Sequence, residues 1–321
     1  MMVEKILVRR PLFSQVVPGC LLLAWFAGSG CSIHRYALNK TSDAVAQSGA
    51  TYASDDDPEL VKAAAPFGLK LTESLLAENP RHLGLLTSAA SGFTQYSYAF
   101  VQEEADELEP QDFAAAEAMR ARARHLYLRA QGYGLRGLEV KHPGFGKALL
   151  ANPKATVRTA TKSDVPLLYW TAAAWASAIS LSKDNPELVG QIPAMAALMD
   201  QALELDESFD QGAIHTFMIT YEMSRSGATG DPAARARKHF ECAMSLSKGT
   251  DVSPLVAFAE AVTIQKQDVK KFESLLNQAL AINPDANPDI RLRNTVMQRR
   301  ARWLLSRESE LFLTNEPFAK P

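Results

Sequence analysis

The sequence predicts an all-α body, and three observations carry that prediction: proline-led helix starts, apolar residues at helical spacing, and a recurring alanine-turn-helix unit. The first start is Asp57-Pro58-Glu59-Leu60. It sets a capping oxygen before a proline whose missing N–H costs nothing at the first helical position, with an acid at the positive end of the helix dipole. Asn185-Pro186-Glu187, Asp231-Pro232, Ser253-Pro254 and Asn287-Pro288-Asp289 repeat the device. Between such starts Leu188, Ile192, Met195, Met199, Ala202 and Leu203 fall on one helical face, as do Leu255, Phe258, Ala259 and Val262. Strand alternation is absent.

The repeat unit lies at 202–213 (ALELDESFDQGA), 243–254 (AMSLSKGTDVSP) and 279–290 (ALAINPDANPDI), with a weaker copy at 74–86 (SLLAENPRHLGLL). Each ends one helix on an alanine-apolar pair, turns through polar residues and begins another. Ala202, Ala243 and Ala279 recur at intervals near the roughly 34-residue tetratricopeptide period. The expectation for 57–321 is therefore a tetratricopeptide-like solenoid of helical hairpins, whose stacking leaves a concave binding face. Residues 142–164 (HPGFGKALLANPKATVRTATKSD) interrupt the period and are expected to be an irregular insertion. The preceding GYGLRG at 132–137 follows a helical run rather than a strand, so its glycines are read as close helix packing rather than a phosphate loop.

The N-terminus reads as an export signal over 1–30. Lys5, Arg9 and Arg10 form a basic start, and VVPGCLLLAWFA (16–27) is an apolar core too short to span a membrane. Gly28-Ser29-Gly30-Cys31 then resembles a lipobox, with Gly28 where an aliphatic residue is usual, so Cys31 is the expected lipidation site. Acyl chains contribute roughly 0.8 kcal/mol per buried CH₂, which makes such an anchor sufficient without a further apolar segment. Residues 31–56 are small and polar and are expected to be a lipidated flexible tether. Ser32 after the cysteine fits outer-membrane delivery of a periplasmic protein.

Charge excludes one class of partner. The whole chain carries −2, and losing the leader removes three basic residues and one acid, so the body is more acidic still and is not expected to bind nucleic acid. Cys242 is the one cysteine of the body, so stability rests on apolar burial, for which 47% hydrophobic residues are ample.

Chemistry is sparse. The six histidines show no metal-pair spacing, and CxxC, HExxH and GxSxG do not occur, so no cofactor, metal or catalytic group is expected. His215 has Glu222 two turns later on its helical face as a partner that would orient it, though without a nucleophile the pair reads as packing. Gln102–Glu107 (QEEADE) reads as a solvated helix end. Aromatics are more suggestive. Phe93, Tyr96, Tyr98 and Phe100 crowd one helix, and Tyr169, Trp170 and Trp175 another. Core packing is the plain reading of such stripes, yet the polar tips of Tyr and Trp suit a groove, in which Tyr96, Tyr98, Tyr169, Trp170, Trp175 and His215 would bind a ligand.

Longer runs carry a family likeness: 57–106 around GFTQYSYAFV, 122–139 (RARHLYLRAQGYGLRGLE), 165–189 around LLYWTAAAW, GAIH at 212–215 and QRRARWLL at 298–305. Together they resemble the TRAP transporter TatT-component family across nearly the whole mature chain. The resemblance implies a periplasmic lipoprotein of tetratricopeptide-like fold that associates with the substrate-binding protein of a tripartite ATP-independent periplasmic transporter. It further implies a trimer with a central pore and a small apolar or organic-acid ligand. It brings no catalytic residues. A non-enzymatic TRAP adaptor is the leading expectation, and a tetratricopeptide scaffold in outer-membrane or envelope assembly is the alternative.

Overall fold

The computed structural model of the chain describes residues 36–313; the expected signal at 1–30 and Cys31 lie outside them. Among the described residues the protein is all-α, without strands. Helices α1 (36–47) and α2 (Gly49–Ala53) lead into α3 (Pro58–Glu78), α4 (Leu83–Ser97), α5 (Glu103–Leu108) and the long α6 (Phe113–Lys141). Then come α7 (Phe145–Ala151), α8 (Pro153–Val157), α9 (Val165–Ser180), α10 (Pro186–Val189), α11 (Ile192–Leu205) and α12 (Ala213–Ser224). The chain continues with α13 (Pro232–Leu246), α14 (Ser253–Phe258), α15 (Ile264–Lys266), α16 (Val269–Ala281), α17 (Arg291–Ser306) and α18 (Glu308–Leu311). None is long and apolar enough to cross a membrane.

Three of the proline-led starts cap as their chemistry dictates. The Asp57 carboxylate accepts from the N–H groups of Glu59 and Leu60, Asn185 from those of Glu187 and Leu188, and Asp231 from those of Ala233 and Ala234. The other two differ, because a neighbour takes over. At α14 the Asp251 carboxylate accepts from Ser253 N, and Ser253 itself becomes the first helical residue. Asn287 instead donates its amide to Gln211 and Thr250, and only a 3₁₀ turn (Pro288–Ile290) follows it.

Two expectations of irregular chain are corrected. Residues 36–53, expected to be flexible tether, are helical and docked. Val45 and Ala46 pack on the core around Leu85, Ser42 is fully buried, His82 Nε2 meets Asp43 Oδ1 at 3.1 Å, and Asn79 donates to Asn39. Gly84 makes this possible, since a Cβ there would lie 3.2 Å from that of Ala46. The segment has little apolar period because it needs only a few contacts to stay in place. The expected irregular insertion at 142–164 likewise contains α7 and α8. Gly144 begins α7 at φ +85°, Asn152 caps α8 ahead of Pro153, and Phe145 and Leu149 anchor the pair in the core.

Consecutive long helices pack on one another: α3 on α4, α4 on α6, α6 on α9, α9 on α11, then α12 on α13 and α16 on α17. Two of the three glycines of GYGLRG, Gly134 and Gly137, sit inside α6 where it meets α9. A Cβ on Gly134 would lie 2.0 Å from Thr171 Oγ1, and one on Gly137 would lie 2.6 Å from a Leu167 methyl. Ala202, Ala243 and Ala279 are all fully buried, so the recurring alanine marks close helix contacts. The apolar interior falls into an N-terminal part, around Leu85, Tyr127 and Trp175, and a C-terminal part around Phe272.

Candidate functional site: a cavity between the two halves

Where these parts meet there is a cavity of about 430 Å³, walled by α3, α4, α9, α12, α14 and α17. Exposed residues such as Gln95, Thr220 and Asp289 stand on its lining, so it opens to solvent. The volume lies within the roughly 300–1,000 Å³ of small-molecule sites, and most of the lining is apolar or aromatic.

Its aromatic wall depends on a departure from the α-helix. After Ser97 the chain makes one π-helical turn, Tyr98–Gln102. The wider turn shifts the register, so that Tyr98 joins Tyr96 and Phe100 on the lining, although α-helical spacing aligns only Phe93, Tyr96 and Phe100. Phe93 turns away and stacks on Tyr133 at 6.0 Å. A second π turn, Ala259–Thr263, follows α14 on the opposite wall. From α9 come Tyr169 and Trp170, edge to face at 4.9 Å, with Phe209 5.3 Å from Tyr169.

Of the six side chains expected to bind a ligand, Tyr96, Tyr98, Tyr169 and Trp170 line this cavity. Trp175 does not. It is 1% exposed in the core and donates its indole N–H to Gln191 Oε1 at 3.0 Å, because helical geometry turns it about 140° from Trp170. His215 also lies away from the cavity, buried between α12 and α13, with its Nδ1 2.8 Å from that of His239 and Glu207 3.6 Å from its Nε2. Burial holds both histidines below their ordinary pKa, Glu207 partly offsetting this for His215 and the His215 charge adding to it for His239. Glu222 does not orient His215: it accepts from Arg225 and Arg235, which together outweigh the effect of burial and hold its carboxyl below the usual range.

Sequence reasoning missed the polar end of the cavity. Arg293 of α17 donates to Asp210 Oδ2 at 2.5 Å and Asp251 Oδ2 at 3.2 Å, three residues brought together from 42 and 83 positions apart. Its side chain lies deep in the molecule yet is 28% accessible, and that access is to the cavity. Burial opposes its charge, but the two carboxylates prevail and raise its pKa above the ordinary value. Tyr169, which faces the same cluster, has its hydroxyl pKa pushed up by burial and by the Asp210 charge. The one available signal was local: Asp210-Gln211-Gly212 is a turn whose residues have φ of +45°, +59° and +94°.

The acidic stretch after the first π turn is also not a solvated helix end. Glu103 is 2% exposed, and neither carboxylate oxygen has a hydrogen-bond partner. Arg300 donates instead to Asp106 and Glu260, and Arg299 to Glu107. Burial, reinforced by Glu260 and Glu107 and only partly countered by Arg300 and Tyr98, pushes the Glu103 carboxyl up to about 8. No cluster of three or more metal-ligating side chains occurs among the described residues.

Among the described residues the chain is thus all-helical and folded around an open, aromatic-walled cavity. The chain belongs to the TRAP transporter T-component family (TAtT), whose model matches residues 54–312. It is also similar to an uncharacterized protein of Treponema pallidum (strain Nichols), at 29% identity over 312 residues, which is 92% of this chain and 95% of that one. A role associated with a TRAP transporter follows from the family.

Proposed function

We propose that the protein is a non-enzymatic, lipid-anchored periplasmic adaptor of a TRAP transport system. It docks the system's substrate-binding protein and shelters a small, mostly apolar ligand in the cavity between its two halves. The cavity carries this reading: its size, its aromatic wall and the π turn that builds it are features of a ligand site, and family membership supplies the transport context. In this reading Cys31 carries the lipid that holds the chain at the outer membrane, and a trimer is the working assembly.

Affinity capture with the chain from a periplasmic extract should recover a TRAP substrate-binding protein. Repeated recovery of envelope-assembly machinery instead would overturn the adaptor reading in favour of a scaffold. Cys31→Ser should move the protein from the membrane to the soluble fraction with its helicity unchanged; retention in the membrane fraction would refute the anchor. Light scattering on the released protein reads the oligomeric state directly.

A further inference from the structure

The family resemblance leaves two ligand chemistries open, an apolar molecule or an organic acid, and the charges on the cavity wall discriminate between them. Among the described residues the charged side chains of the lining are Asp210, Asp251, Asp289 and Arg293. An arginine in an apolar cavity is ordinarily the clamp for a carboxylate, because its planar fork matches the two oxygens. Here that clamp is already occupied. Arg293 is bonded to two carboxylates, so the triad carries a net negative charge, and Asp289 adds another at the mouth.

The second carboxylate is built in at a cost. Asp210 reaches Arg293 from a backbone at φ +45°, ψ +51°, and its neighbour Gln211 sits at φ +59°, ψ +28°; left-handed conformations are unfavourable for residues other than glycine, less so for aspartate than for glutamine. Asn287 holds the turn there by donating to Gln211 Oε1 at 2.9 Å. Asp251 is fixed independently, through Ser253 N at 2.8 Å. A fold that maintains this strain to set a second acid on its only cavity cation among the described residues has cancelled the charge a carboxylate ligand needs. What remains at the polar end is Arg293 N–H groups beyond the two already bonded, the Tyr169 hydroxyl, and the aromatic faces of Tyr96 and Trp170. Those donors suit a hydroxyl or carbonyl oxygen, and the net negative charge with the aromatic faces suits a cation.

Resting on the reading of this cavity as a ligand site, we propose that it takes an amphiphile whose polar end is neutral or positively charged, and rejects carboxylates. One uncompensated charge about 5 Å from a ligand carboxylate, at an effective dielectric of about 20, corresponds to a few hundredfold, roughly, in affinity before screening, so at least about tenfold discrimination is expected.

The test is calorimetric titration of the full chain carrying Cys31→Ser, purified without detergent, with decanol below its solubility limit and with decyltrimethylammonium and decanoate below their micellar concentrations, at pH 7.5. The proposal expects decanol or decyltrimethylammonium to bind at least about tenfold more tightly than decanoate. It further expects Asp210→Asn to narrow the preference for decanol over decanoate at least severalfold; asparagine tolerates the left-handed conformation, so the turn is preserved. Asp289→Asn, at an exposed position, is the second variant and should shift affinity the same way by less. Decanoate binding as tightly as decanol would overturn the ligand class and leave the cavity reading standing. Binding of none of the three would overturn both.

Discussion

Replacing Glu103 by glutamine should make the protein more stable at alkaline pH, although it removes a charge from the neighbourhood of a buried arginine. Glu103 is buried with no hydrogen bond to either carboxylate oxygen, and its nearest cation, Arg300, is already satisfied by Asp106 and Glu260. Burial opposes its ionisation, which would also place an additional unbonded negative charge beside Glu260 and Glu107, and its pKa is raised from 4.5 to about 8. Between those values the native state keeps a proton that the unfolded chain has released. Stability from this group is therefore fully present below pH 4.5 and falls as pH rises, until the native carboxyl also ionises near pH 8. At 1.36 kcal/mol per pKa unit the loss across that window is roughly 3–5 kcal/mol. Glutamine has the same shape and no proton to lose. Urea unfolding of both proteins from pH 4 to 8.5 should give similar stabilities at pH 4, with the variant ahead by several kcal/mol at pH 8. Parallel curves, or a variant that is less stable at pH 8, would show that the ionised carboxylate pairs productively with Arg300 and would refute the reasoning.

Other substitutions follow from the same geometry. Gly134→Ala should cost about 1–3 kcal/mol in thermal or urea unfolding, because its Cβ would meet Thr171; Gly132→Ala, with open space around it, should stabilise by up to about 1 kcal/mol and is the control. Trp175→Phe should destabilise by about 1–3 kcal/mol, with cavity loss and an unpaired Gln191, without altering decanol binding. Trp170→Ala should weaken that binding while costing little stability, and the reverse pattern would move the cavity wall. Because burial depresses the pKa of His215 and His239 below 6.5, their contribution is present above pH 6.5 and lost as pH falls. NMR titration should find both rings titrating below 6.5, and a ring that titrates at or above 6.5 would contradict the burial.

Local chemistry made much of the fold legible. A capping oxygen before a proline is read from two or three adjacent residues, so Asp57, Asn185 and Asp231 cap as expected. Gly134 and Gly137 of GYGLRG follow the same logic, since their packing needs only one partner helix, whereas Gly132 faces open space. Failures came where a distant residue decides the outcome. Thr250 and Gln211 draw Asn287 away from its cap, and Arg225 and Arg235 draw Glu222 from His215. The docked helices at 36–53 depend on a glycine at 84. Tyr98 reaches the cavity through a π turn that the α-helical period cannot contain. Four of six ligand candidates line the cavity because tyrosines and tryptophans at helix ends mark a wall, but a wall alone does not reveal the charges at its far end.

Those charges come largely from α17, and its sequence explains why they were hidden. RLRNTVMQRRARWLLS is rich in arginine, a residue type that is mostly exposed, and nothing in its spacing names a partner. In the fold it is a clamp across both halves. Arg299 and Arg300 reach Glu107 and Asp106 of α5, and Arg291 donates to Ser54 O beside α2. Toward the C-terminal half Arg300 also binds Glu260, Arg293 binds Asp210 and Asp251, and Gln298 donates to the carbonyls of Ala279 and Ile282 that end α16. The contacts on α5 and beside α2 set how far apart the two halves stand, while Arg293 on the same helix sets the charge at the end of the space between them. Cavity width and cavity charge are thus fixed by one element, so a substitution such as Arg299→Ala should alter ligand affinity without touching the lining, by loosening the hold on α5. The measurement is decanol titration of that variant beside a urea melt: unchanged affinity with intact stability would separate the clamp from the cavity and undo the connection.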